Sequence, residues 1–244
     1  MNFFDQLAGF AFCTIRPGIA VSLIPFGNDG ALGVALRVPL VLTFASFPAV
    51  SGWPANLMQA CAMEALAGLV IGLLLSVVFH VAAAGGAILD QQGGYSIGAV
   101  YDPNFQQESA LFETLFTQFA ALTFFTGQGL VMVSRFFVDT WSIWPPGLAS
   151  QGALEHLFRT FSETRLPTAF LDGMQLAAPL LALMIIVDIS MGLASRHARR
   201  LNPFAVARSV KAMVLSLAAM ACVPALLERL ERTLASALTL GWHP

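Results

Sequence analysis

Charge is what this 244-residue sequence has least of. Lys and Arg number 12, Asp and Glu number 14, and together they make up 11% of the chain, where a soluble domain carries about 25%. That deficit excludes a surface covered entirely by water, because too few ionic side chains exist to hydrate it. Lysine is nearly absent: Lys211 is the only one, and the remaining cations are arginines, which keep their charge in apolar surroundings. A formal net charge of −2 gives no electrostatic case for a nucleic acid partner.

Reactive chemistry is also scarce. Cys13, Cys61 and Cys222 lie far apart in apolar stretches without CxxC spacing, so they read as packing residues and not as a disulfide framework or metal site. His80, His156, His197 and His243 share no metal-ligand spacing, and HExxH and P-loop patterns are missing. The sequence therefore predicts no enzyme, no metal and no cofactor. The first 18 residues lack a basic start, carry Asp5 and offer no small-residue cleavage motif, so they read as mature chain. No fixed-period repeat and no low-complexity tail occurs.

What is present in abundance is apolar helix. Hydrophobic residues make up 57% of the chain and mean hydropathy is +0.74. A spanning helix needs about 20 apolar residues, and the sequence offers roughly six such segments, at 3–24, 31–50, 57–84, 111–133, 168–193 and 204–227. Several are broken. Arg16-Pro17-Gly18 interrupts the first, Arg37 and Pro39 lie in the second, and Pro179 and Asp188 in the fifth. A freed backbone group in hydrocarbon is costly unless protein or water satisfies it. Broken, polar-studded segments thus point to burial within an assembly. The fold class is all-α, a polytopic membrane protein.

Two connections stand out. Residues 85–109, GGAILDQQGGYSIGAVYDPNFQQES, read as a long polar, glycine-rich loop between the third and fourth segments. Residues 141–167 hold WSIWPPG, whose Trp141 and Trp144 suit a membrane-interface belt, then a short amphipathic stretch, ALEHLFRTFSETR. Arg196, Arg199, Arg200, Arg208 and Lys211 form the most basic stretch, which the positive-inside rule places on the cytoplasmic side.

Glu64, His80, Asp90, Asp188 and Lys211 lie within or at the edges of apolar segments, where ionisable groups are expensive and a role is the default expectation. They are scattered over different segments, with no acidic pair at helical spacing. Structural pairing is therefore a better reading than a proton relay, and His80 reads as a hydrogen-bonded core or interface residue. The 85–109 stretch, with Asp90, Gln92, Gly94, Tyr101, Asp102, Pro103 and Phe105, fits a cavity lining or plug as well as an ordinary exposed loop.

Two blocks of residues resemble one family. The stretch GGAILDQQGGYSIGAVYDP, followed by FTGQGLVMVSRFFVDTWSIWPPG, is similar to the SctT/FliR family of inner-membrane export-apparatus proteins of type III secretion systems. So is APLLALMIIVDISMGLASRHARRLNPFAVARSVKAMVLSL, which resembles that family's late hairpin at Gly192, Arg196, Asn202, Phe204 and Lys211. The resemblance spans nearly the whole chain in order. Asp90, Gln92 and Gly94 look closer to the injectisome branch than to the flagellar one. Gly93 departs from it, standing where many injectisome relatives carry Arg, so no charged role is carried over there.

The resemblance implies a single export-gate membrane domain over 1–244, with helices arranged as hairpins inside a hetero-oligomer. Residues 1–165 would be the SctR-like portion, containing the plug loop 85–109, and 166–244 the SctS-like hairpin and tail. The implied partners are SctR-like and SctS-like gate subunits, a SctU-like switch subunit, a SctV-like export subunit, unfolded proteins in transit and membrane lipid. Arg196, Arg199, Arg200, Asn202 and Lys211 would then contact a cytoplasmic partner. The implied location is the bacterial inner membrane, with parts raised toward the periplasm. Residues alone leave a stand-alone transporter or small-solute channel, or a non-pore scaffold, as rivals. Converging titratable groups and inverted repeats, which a transporter requires, are not visible.

Overall fold

A computed structural model describes residues 3–26, 31–48, 52–93, 111–126, 128–148, 151–197 and 203–238. Every regular element among them is helical: α1 (Phe3–Cys13), α2 (Ile15–Ser22), α3 (Ala31–Ala45), α4 (Leu57–Gly93), α5 (Leu111–Thr126), α6 (Gly129–Ile143), α7 (Gln151–Arg159), a π-helical turn (Thr160–Arg165), α8 (Leu166–His197) and α9 (Pro203–Leu238). Among the described residues, Leu57–Gly93, Leu154–Arg196 and Ser209–Ser236 are long and apolar enough to cross a membrane. Leu111–Thr126 and Gly129–Ile143, bent by 68° at their junction, make a fourth span if taken as one.

The six sequence segments map onto these helices, with the breaks displaced. The first segment breaks at Thr14, just ahead of Arg16-Pro17-Gly18. Pro17 consequently falls in the first turn of α2, where its missing N–H is one that no intrahelical carbonyl would have met. Pro39, Pro179 and Pro224 lie inside α3, α8 and α9.

The glycine-rich stretch differs from expectation at its start. Residues 85–93 are not loop; they are the last turns of α4. Glycine disfavours helix by about 1 kcal/mol against alanine, but here close helix approaches override propensity. A Cβ on Gly85 would lie 3.2 Å from the Gly173 carbonyl oxygen of α8. The rest of that stretch, including Gly94, Tyr101, Asp102, Pro103 and Phe105, lies outside the described residues.

α4 is the axis of the fold. Its most extensive contacts are with α5, α8 and α2, and α9 also packs on it. Its buried face, including Ile71, Leu75, Val78, Phe79 and Leu89, carries the main core, which Phe112, Phe116 and Phe124 of α5 and Leu176 and Leu180 of α8 complete. A second cluster joins Ala67, Val70 and Leu74 of α4 to Trp144 and to Leu157 of the amphipathic α7. α2 approaches α4 closely: a Cβ on Gly68 would stand 2.5 Å from the Arg16 carbonyl oxygen.

The outer helices are a different matter. In the most apolar windows of the α7–α8 run and of α9, 22% and 17% of residues are buried, against 72% in α4. Ile185, Ile186, Ile189, Leu193, Met213, Leu217 and Met220 are exposed, giving the α8–α9 hairpin wide apolar faces.

Candidate functional site

Three polar junctions are set into this apolar fold, and each involves a residue singled out by sequence. The first holds Glu64. Arg16, wholly buried, donates from Nε to Glu64 Oε2 at 2.8 Å and from Nη2 to Glu64 Oε1 at 3.0 Å. Nη2 also donates to the Trp144 carbonyl oxygen at 3.2 Å, and the Gly147 N–H donates to Glu64 Oε1 at 3.3 Å. The guanidinium lies 3.9 Å from the Trp141 ring centroid and 5.1 Å from that of Trp144. Fork-to-fork pairing, a carbonyl contact and two aromatic faces stand in for part of the water that both ions have lost, while Nη1 is buried without a hydrogen-bond partner among the described residues. The junction ties α2 to α4 and to the turn after α6.

This corrects the reading of the tryptophans. Trp141 and Trp144 are buried on Arg16 and do not form an outward interface belt. His80 is also corrected in part: it is exposed on α4, so it is no core residue of this chain. Arg16 itself was legible only as a helix interruption. A lone cation in one apolar segment and a lone acid in another was the signal that would have paired them.

The second junction is Asp90. Only 4% exposed, it accepts from the Phe112 N–H at 3.1 Å through Oδ1 and at 3.0 Å through Oδ2. It also accepts from the Glu113 N–H at 3.0 Å through Oδ2. These donors belong to the first turn of α5, whose N–H groups have no intrahelical acceptor and whose dipole favours an anion. Gly86 permits the approach, since a Cβ there would sit 2.3 Å from the Phe112 carbonyl oxygen. Gln92, from the same predicted group, is exposed on the last turn of α4.

The third junction is Lys211. Its Nζ lies 2.6 Å from Asp188 Oδ1, pairing α9 with α8, and donates a long bond of 3.4 Å to the Gln92 carbonyl oxygen of α4. Asp90, Gln92 and Lys211 therefore come together at the end of α4, although sequence placed them in two separate groups. Arg196 is exposed near the end of α8. Arg199, Arg200 and Asn202 lie outside the described residues. Among the described residues, no group of three His, Cys, Asp or Glu side chains could hold a metal ion.

A helical, multi-pass membrane protein whose buried charges fasten helices together is the class these features define. Residues 7–237 match the family model described as bacterial export proteins, family 1. The chain belongs to that family, the SctT/FliR proteins, and is an export-apparatus component. It is similar to the "Secretion system apparatus protein SsaT" of Salmonella typhimurium, 25% identical over 231 residues that cover 90% of this chain and 88% of that protein. It is 28% identical to the "Yop proteins translocation protein T" of Yersinia pestis over 76% of this chain and 74% of that one. A flagellar relative, the "Flagellar biosynthetic protein FliR" of Escherichia coli, is 25% identical over 71% of this chain and 67% of its own.

The Arg16–Glu64 junction makes a quantitative prediction. Glu64→Ala leaves a buried guanidinium uncompensated and should destabilise the chain by about 3–5 kcal/mol, read as early thermal aggregation of the purified protein in detergent. Arg16→Met combined with Glu64→Leu should recover most of that loss, because no lone charge remains. Equal damage from the single and double variants would contradict a charge-pairing role.

Proposed function

We propose that this chain is a subunit of the type III secretion export gate, one that helps form and seal the conduit for unfolded proteins across the bacterial inner membrane. The observation that carries this reading is the family match running over residues 7–237, nearly the entire chain. Relatives from Salmonella and Yersinia bear secretion and translocation names, which favours the injectisome over the flagellar branch. The partners are SctR-like and SctS-like gate subunits, a SctU-like switch subunit on the cytoplasmic side and a SctV-like export subunit.

The physical character of the surface agrees. The α8–α9 hairpin, the SctS-like portion of the proposal, is apolar on faces that this chain leaves open. Lipid or other apolar subunits would cover them, and a gate raised toward the periplasm would offer mostly subunits. The proposed boundary at 165/166 lies within one continuous helical run, Leu154–Arg196.

A stand-alone transporter is the weaker reading. It needs titratable groups gathered along one path. Here Glu64 is bound to Arg16, Asp90 to the start of α5, and Asp188 to Lys211. Each carboxylate is committed to fastening helices. In the gate, the segment after Gly93, carrying Tyr101, Asp102, Pro103 and Phe105, would act as the plug.

Deleting residues 101–107 should make the resting gate leak small ions while the complex still assembles, measured as membrane conductance. An assembled deletion variant with unchanged conductance would leave only a scaffold role. The basic stretch yields a second expectation: Arg196→Glu, Arg199→Glu and Arg200→Glu together should impair secretion or invert the topology of the hairpin. Normal secretion with normal topology-reporter patterns would remove this stretch from partner contact.

A further inference from the structure

α6 carries two ions on its open face. Arg135 and Asp139 stand one helical turn apart, both exposed, and neither forms an ion pair among the described residues. The same spacing closes elsewhere in the chain: Arg159 reaches Glu163 at 2.9 Å and Arg232 reaches Glu228 at 2.5 Å. Asp139 is one methylene shorter than those glutamates. Both charges are left open toward the outside of the chain.

Their surroundings make that costly. α6 belongs to the bent pair of helices that together are long and apolar enough to cross a membrane, and ions in such a segment need partners. The two charges edge a groove of about 440 Å³ floored by Phe47, just beyond α3, and by Leu130, Val131 and Val138 of α6. Phe47, Val131 and Val138 are exposed. Ser134 lies between the charges and that floor, and its hydroxyl already donates to the Leu130 carbonyl oxygen at 2.7 Å. The unmet polar demand of the groove is therefore one cation and one anion.

Whatever fills it must bring apolar groups flanked by an anion and a cation. Lipid tails supply neither charge, and an anionic headgroup that met Arg135 would carry its charge beside Asp139. A zwitterionic headgroup has both signs, yet it must be immobilised to hold them, whereas a helix presents them already spaced. A second copy inserted in the same orientation would run its α6 parallel to this one, setting Arg135 against Arg135. A helix of a different subunit, bearing an acid and a cation one turn apart, meets every demand. We infer that the groove between the end of α3 and α6 docks such a helix from another subunit of the gate, with Arg135 and Asp139 fixing its register. The inference rests on the gate reading above and deepens it by naming the surface.

The test uses the assembled complex in its native membrane, with the photo-crosslinking amino acid p-benzoylphenylalanine in place of Val131. Irradiation should join the chain to a different membrane subunit, at a helix carrying an acid and a cation one turn apart. Arg135→Glu should cut that adduct about 10-fold or more, while thermal stability of the isolated chain stays unchanged. The exchange Arg135→Asp with Asp139→Arg should cut it at least as far, and the opposite exchange in the partner's own pair should restore it. Full adduct from the exchanged α6 with an unaltered partner would overturn the inference, since the two charges would then serve only each other. Adducts solely with phospholipid or with a second copy, or none, would also overturn it, and would spare the gate reading if the same crosslinker at Ile189 of α8 captures gate subunits. If neither position captures one, both fall. Should Arg135→Glu not accumulate, Arg135→Gln with Asp139→Asn takes its place; loss of the adduct supports the docking site and its retention refutes it.

Discussion

A guanidinium out of contact with solvent must find substitutes for its hydration inside the protein, and the position of Arg16 depends on how many it finds. Glu64 supplies two acceptors, Trp144 supplies a carbonyl, and the indole of Trp141 covers a face at 3.9 Å. None of these comes from α2 itself. The charge can be buried only when α2, α4 and the turn after α6 are all in place, so one ion pair makes three distant stretches of chain interdependent. Gly68 shares that condition, for the same crossing brings the Arg16 carbonyl against it. Hydrophobic burial alone would let these helices slide, because apolar contact is non-directional. The bidentate pair fixes their register.

The same device recurs toward the other end of α4. Asp90 binds the start of α5, and Lys211 joins Asp188 and the Gln92 carbonyl. A central helix buried over most of its length thus has polar fastenings near both ends and an apolar core between them. Its neighbours at the outside, α8 and α9, keep broad apolar faces that the chain does not cover by itself. Internal fastening with external apolar exposure is the physical profile of a chain covered by lipid or by other apolar subunits, and it agrees with membership of an export family whose match runs from residue 7 to 237.

Much of this was legible beforehand, for definable reasons. The charge deficit required lipid or apolar partners, and long apolar runs required helices. Intramembrane Glu64 and Asp188 demanded partners, and both have them. The misreadings share one cause. Residues 85–93 looked like loop because glycine is a poor helix former, yet Gly85 and Gly86 serve close contacts with α8 and α5. Trp141 and Trp144 looked like an interface belt because composition cannot show that a distant arginine needs their faces. In each case a contact between residues remote in sequence outweighed the local preference. The π-helical turn at Thr160–Arg165 gave no sequence signal at all.

The gate assignment is tested most directly by mild-detergent purification of the tagged chain from its native membrane, with mass spectrometry of the co-purifying proteins. Recovery of small SctR-like and SctS-like membrane proteins is the result the assignment predicts. A chain that emerges alone or as a homo-oligomer, while those proteins are expressed in the same membrane, would contradict it.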